Sequence, residues 1–172
     1  MTITCDPLND VVDDTRMAAI ITKTAITPID TLILKVNNLT QVPANLNQYT
    51  QLTYLSLAHN SISSIAVTGT IFPAVLSTLD VNSNQLTQVP TGLNQYTALS
   101  TLLLASNSIG SFDVTSTTFP HALATLDLRT QYTGLVSVSL ASNHITSVAT
   151  TDLKLTGSVQ LIWAKTIWAG AK

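Results

Sequence analysis

Apolar residues recur in this chain in a fixed frame. The stretch Leu76–Ala98 shows it best: Leu76, Leu79, Val81 and Leu86 are apolar, with Asn84 set among them. The frame reads L-x-x-L-x-V-x-x-N-x-L. Apolar residues two apart, as at Leu79 and Val81, turn one face of a short strand inward and the other outward. Asn84, three residues later, falls where such a strand must bend. Its amide both donates and accepts hydrogen bonds, so it suits a place where peptide groups of adjacent turns would otherwise be buried unpaired. Beyond it, Leu86, Val89, Leu93 and Tyr96 predict an irregular return path with its own apolar side.

The frame starts again at Ile29, Leu52, Leu99, Leu123 and Leu135, so that successive starts lie 23, 24, 23, 24 and finally 12 residues apart. Two return paths alternate. One is LTQVPANLNQYTQ (39–51) and LTQVPTGLNQYTA (86–98); the other is ISSIAVTGTIFPAV (62–75) and IGSFDVTSTTFPHA (109–122). The better period is therefore 47 residues. Asn37, Asn60, Asn84, Asn107 and Asn143 share one position and predict a ladder of stacked side-chain amides. Tyr49, Phe72, Tyr96 and Phe119 recur once per unit and predict an aromatic spine behind the strands. One unit is too small to bury its own apolar face, so neighbours must stack for any of them to fold.

This pattern resembles the leucine-rich repeat family. Ile29, Leu32, Leu34, Asn37 and Leu39 carry it first, then Leu52, Leu55, Leu57, Asn60 and Ile62, then the stretch at Leu76. Leu99, Leu102, Leu104, Asn107 and Ile109 follow, and Leu135, Val138, Leu140, Asn143 and Ile145 come last, so the resemblance covers residues 29–148. It implies an α/β-type solenoid: a horseshoe arc with a short-stranded parallel sheet on the concave side and irregular, 3-10 and turn structure on the convex side. It also implies recognition of a protein, peptide or glycan rather than catalysis, as a free-standing module or as part of a receptor-like kinase ectodomain.

Both ends depart from the frame. Val12, Met17 and Ile20 have the spacing of Leu57, Ile62 and Ile65, with Thr15 at the asparagine position, so residues 1–28 are expected to form a capping half-turn. Asp10, Asp13, Asp14 and Arg16 would keep that end wet. Near the other end, LATLDLRTQYTGL (123–135) begins and ends like the Leu76 stretch but lacks 11 residues of its middle. Only seven residues then separate Thr125–Leu128 from Val136–Leu140, where a parallel crossover takes about a dozen or more. The solenoid is pinched there, or the last unit pairs differently, or the gene product has lost a segment. After Val148 the frame dissolves, and 149–172, with Trp163 and Trp168, read as a cap or a frayed tail.

Composition narrows the function. Charged residues are 9% of the chain and the net charge is −2, with no basic run, which argues against nucleic acid or an anionic membrane as partner. No apolar run is long enough to span a membrane. The first thirty residues lack the basic start and apolar core of a secretion signal. The chain is accordingly cytoplasmic, or extracellular if a signal belongs to a longer product. Cys5 is the only cysteine, so no disulfide can close within the chain. His59, His121 and His144 fall in different repeats, and no nucleophile, metal or phosphate-loop motif is present, so neither an enzyme nor a cofactor is expected. Asn38-Leu39-Thr40 is a glycosylation sequon that matters only in a secreted chain.

Alternation around the inward leucines leaves three outward rows. They are Thr31, Tyr54, Thr78, Thr101, Thr125 and Ser137; then Ile33, Ser56, Asp80, Leu103, Asp127 and Ser139; then Lys35, Ala58, Asn82, Ala105, Arg129 and Ala141. Lys35, Tyr54, Asp80, Asn82, Asp127 and Arg129 are the expected ligand anchors, because aromatic and charged groups on a rigid sheet carry most interface energy. The threonine column also admits an ice-binding surface. The varied second row and a curved sheet argue against it.

Overall fold

The computed structural model describes residues 1–5, 12–24, 28–65, 71–113, 119–129, 137–139, 147–149 and 161–162. Among the described residues, ten short strands and one α-helix, besides two 3-10 turns, make up the regular elements: β1 (Thr2–Thr4), α1 (Asp14–Thr24), β2 (Thr31–Ile33), β3 (Tyr54–Ser56), β4 (Thr78–Asp80), β5 (Thr101–Leu103), β6 (Ser111–Asp113), β7 (Thr125–Asp127), β8 (Ser137–Ser139), β9 (Ser147–Ala149) and β10 (Leu161–Ile162). The pairings among these strands are all parallel. One sheet of seven strands runs β1-β2-β3-β4-β5-β7-β9, and one of three runs β10-β8-β6. From β2 onward, strands of the large sheet start at residues 31, 54, 78, 101, 125 and 147, one per coil of 22 to 24 residues. The chain is a solenoid built on a parallel sheet, the architecture that the leucine-rich-repeat resemblance implies.

Each strand of the large sheet puts its middle residue inward. Leu32, Leu55, Leu79, Leu102 and Leu126 lie in register and are buried. Leu34, Leu57, Val81, Leu104 and Leu128 form the next buried row, and Leu39, Ile62, Leu86 and Ile109 one beyond the bend. The core is thus a stack of like residues, and every coil contributes to the coil on either side.

The bend depends on a left-handed residue. Val36, His59, Ser83 and Ser106 all have positive φ, between 53° and 60°, one residue before the ladder asparagine. Each donates its N–H to the next coil: Val36 to Ala58 O, His59 to Asn82 O, Ser83 to Ala105 O and Ser106 to Arg129 O. Valine is the poorest of the four there, since its branched Cβ crowds the backbone at positive φ. It is also exposed, so its side chain contributes little packing in return. Val36→Asn should keep the N–H bond and relieve about 1 kcal/mol, raising the melting temperature by roughly 2–4 °C; calorimetry checks it.

The alternating return paths have a structural counterpart. In one kind, 3-10 turns form at Leu46–Gln48 and Leu93–Gln95, each entered through a left-handed residue, Asn45 or Gly92. Tyr49 O and Tyr96 O then accept from Leu52 N and Leu99 N. In the other kind Pro73 O and Pro120 O accept from Leu76 N and Leu123 N. The two kinds interlock: the Tyr96 hydroxyl accepts from Ile71 N and Phe72 N, and its ring meets that of Phe72 edge to face at 5.5 Å. The Tyr49 hydroxyl donates to Ile21 O of α1. Buried phenols need such partners.

Both ends differ from the sequence expectation. Residues 1–28 do not place Val12 as the counterpart of Leu57, nor Thr15 on the ladder. The strand lies upstream, at β1, and Val12 N donates to Asn37 Oδ1 as Leu39 N does to Asn60 Oδ1. Val12 is thus the counterpart of Leu39. The following residues form α1, where Met17 and Ile21, four apart, turn inward and Thr15 is exposed. Asp13 starts that helix: its Oδ1 accepts from Arg16 N and its carbonyl from Met17 N. Asp14 clips the helix to the next coil by accepting from Thr40 N and Thr40 Oγ1. These aspartates therefore build the end coil as well as face water.

At the other end the last unit pairs differently, one of the three readings its spacing left open, and the repeat read from Leu135 is corrected accordingly. β8 pairs with β6 in the small sheet, and β9 takes the place beside β7. Ser147 and Ala149, not Ser137 and Ser139, lie in register with Thr125 and Asp127. Coil length is the reason. The nine residues between β7 and β8 are less than half of the 22 to 24 that separate successive strands of the large sheet, and the next strand of that sheet starts at residue 147. A boundary at 148 would cut β9. Asn143, Ala141, His144, Trp163 and Trp168 lie outside the described residues.

Candidate ligand-binding face

The outward face of the large sheet rests on the asparagines behind it. Asn60 donates through Nδ2 to Leu34 O, Leu57 O and Ala58 O at 2.9–3.3 Å and accepts from Leu39 N at 3.0 Å. Asn84 repeats this with Leu57 O, Val81 O, Asn82 O and Ile62 N. Asn107 does so with Val81 O, Leu104 O, Ala105 O and Leu86 N. Asn37 bonds Cys5 O, Leu34 O, Lys35 O and Val12 N. Each asparagine joins two coils, and each is buried. Buried polar groups held this fully fix the strands rather than merely solvate them.

On the face itself the expected anchors take different roles. Lys35 is exposed near one end. Tyr54 is partly buried beside Thr78; burial pushes its phenol above the ordinary value, and the charge of Asp80 pushes it further, against an opposing hydrogen bond to Ser56. Asp80 Oδ2 accepts from Ser56 Oγ at 2.9 Å and Oδ1 from Asn82 N at 3.1 Å. Asn82 Oδ1 in turn accepts from Ala105 N at 2.7 Å.

Asp127 occupies the same row as Asp80, two strands along, with Leu103 between them. It is buried, and Arg129 covers it: Nε lies 2.9 and 3.0 Å from its two carboxylate oxygens and a terminal nitrogen 2.6 Å from Oδ2. A partner approaching there meets the half-exposed guanidinium rather than the carboxylate. Alternation alone does not show this pairing, although an Asp and an Arg two apart on one strand face signal it. Ser56 is not among the expected anchors, yet it bonds one of them. Its hydroxyl orients Asp80, and only the register of β3 on β4 brings the two together.

Other candidate chemistry stays dispersed. His59 and His121 are exposed on separate coils, and no group of three potential metal ligands occurs among the described residues. Burial pushes the Cys5 thiol up, which disfavours the nucleophilic thiolate. Asn38 of the sequon is exposed, while Thr40 is engaged by Asp14. No described helix is long and apolar enough to cross a membrane.

No family model matches the chain, and no curated protein matches it. Among solved structures it is similar to the leucine-rich repeat domain of APL1B, with a TM-score of 0.54 and 21% identity. The match covers 93% of this chain and 49% of that one, so this chain spans about half the length of the domain it resembles. The likeness shows the fold.

Proposed function

We propose that this chain is a non-catalytic recognition module that binds a protein, peptide or glycan on the outward face of its large sheet. The observation that supports this most is the prior pairing of the face. Ser56, Asp80 and Asn82 are already bonded to one another, and Asp127 to Arg129. Side chains held this way lose little freedom on binding, which is how rigid surfaces gain affinity. Lys35 and Arg129 mark the two ends of this strip, four strands and roughly 19 Å apart at about 4.8 Å per strand. Tyr54, Asp80 and Asn82 lie between them and supply the aromatic and polar anchors. The solenoid fold favours a macromolecular partner over a small substrate by analogy.

Peptides selected from a random displayed library on the purified protein test this. Their hydrogen-exchange footprints should centre on residues 31–35, 54–58, 78–82 and 101–105, and Tyr54→Ala should weaken them by at least about tenfold. Footprints on the turns at 46–48 and 93–95, with binding indifferent to Tyr54→Ala, would reject the reading.

A further inference from the structure

Asp80 and Asp127 are equivalent in row, register and backbone surroundings. Asn82 N donates to Asp80 Oδ1 at 3.1 Å, and Arg129 N to Asp127 Oδ1 at 3.0 Å. They differ in what neutralises them. Two residues after Asp127 stands Arg129, whose guanidinium lies across both carboxylate oxygens. Two residues after Asp80 stands Asn82, which instead accepts from Ala105 N. Among the described residues Asp80 receives only neutral donors, the Ser56 hydroxyl and a peptide N–H. Each of its oxygens keeps further acceptor capacity, and the carboxylate is partly exposed. The phenol of Tyr54, one strand away, responds to its charge.

We infer that Asp80, the counterpart of Asp127 with Asn82 standing where Arg129 does, receives an arginine side chain of the protein partner. The inference rests on the reading of this face as a recognition surface and names one contact within it. The chain displays the occupied geometry in itself: a planar guanidinium fork on a carboxylate, seated against a sheet. Arginine fits better than lysine because the fork meets both oxygens at once, whereas an ammonium acts as a point charge. Tyr54 adds an aromatic surface over which a guanidinium can lie. Ser56, already donating to Oδ2, holds the carboxylate in place for the incoming donor.

The probe is N-acetyl-arginine amide, titrated into the full chain while backbone amide resonances are followed by NMR. The amides of Asp80 and Asn82 should shift, less so at high salt, and N-acetyl-lysine amide should shift them less. The amides of Asp127 and Arg129 should stay still, because that site is filled. Asp80→Asn should abolish the response. So should Asn82→Arg, which supplies in cis the guanidinium that Arg129 supplies to Asp127. Persistent shifts in both variants, equal shifts with lysine, or no shift in the unmodified protein would each overturn the assignment. If selected peptides still footprint the sheet in that event, the recognition face stands and only the arginine contact fails.

Discussion

Replacing Asn84 by aspartate, a side chain of the same size and shape, should destabilise the protein more than replacing it by alanine. In Asn84→Ala the three carbonyls served by Nδ2 keep other donors. Leu57 O retains Asn60, Val81 O retains Asn107, and Asn82 O retains His59 N. Ile62 N, which donates to Asn84 Oδ1, is left with no replacement acceptor from the deleted amide. An orphaned buried N–H costs about 1–3 kcal/mol, and the lost amide volume adds to it, so a loss of about 2–4 kcal/mol is expected. Aspartate restores the acceptor for Ile62 but turns a carboxylate oxygen toward those same three carbonyls. A buried, unpaired charge costs several kcal/mol, and the drop in melting temperature should exceed 10 °C at roughly 2–4 °C per kcal/mol.

The pH dependence separates the two variants. Burial raises the folded-state pKa of the new carboxyl above its unfolded value. Its stability contribution is therefore fully present below the unfolded pKa and is lost as pH rises through the folded one. Relative to Asn84→Ala, the Asn84→Asp deficit should shrink on acidification, because the protonated acid can again donate to a carbonyl. Urea midpoints measured across the acid range check this. Equal midpoints for the two variants would mean that Asn84 is not enclosed as the hydrogen bonds place it.

The second large effect concerns Leu79. It is fully buried and lies in register between Leu55 and Leu102. Leu79→Ala should cost about 2–5 kcal/mol. Leu79→Lys should cost more and should change the manner of unfolding, since a solenoid is held together by nearest-neighbour interfaces. With the central interface broken, the coils on either side lose their coupling, and the slope of stability against urea should fall as well as the midpoint. Ile3 is the control. It occupies the same position on β1, which among the described strands has a neighbour on one side only, and is partly buried. Ile3→Ala should lower the midpoint modestly and leave the slope unchanged.

Legibility along the chain followed the repetition. Where an apolar pair two apart precedes an asparagine, as at Leu55–Asn60 or Leu102–Asn107, the strand, the inward side and the bend all follow from local spacing. The left-handed residue before each asparagine was not legible, because valine, histidine and serine share no preference for positive φ. The helix at the first coil was signalled by Asp13, by Met17 and Ile21 four apart, and by the two alanines between them. The frame of the later repeats obscured that signal. The arginine seat at Asp80 was half legible: alternation already set Asp80 in one row with Asp127 and Asn82 in the next with Arg129, while the closing of Arg129 over Asp127 emerged only from the side-chain contacts.

The sequence by itself determined which residues face the core, that the coils stack in parallel, and where the amides capable of joining them stand. These are properties of a local period, and each unit carries them independently. The tertiary structure alone decided which strands become neighbours at the ends. LVSVSLASNHI (135–145) fits the local frame as well as many repeats do, yet β8 joins the small sheet and β9 the large one. A strand reaches the large sheet only after the chain has gone once around the core. That closure condition depends on the whole coil and its neighbours, and no window of eleven residues contains it.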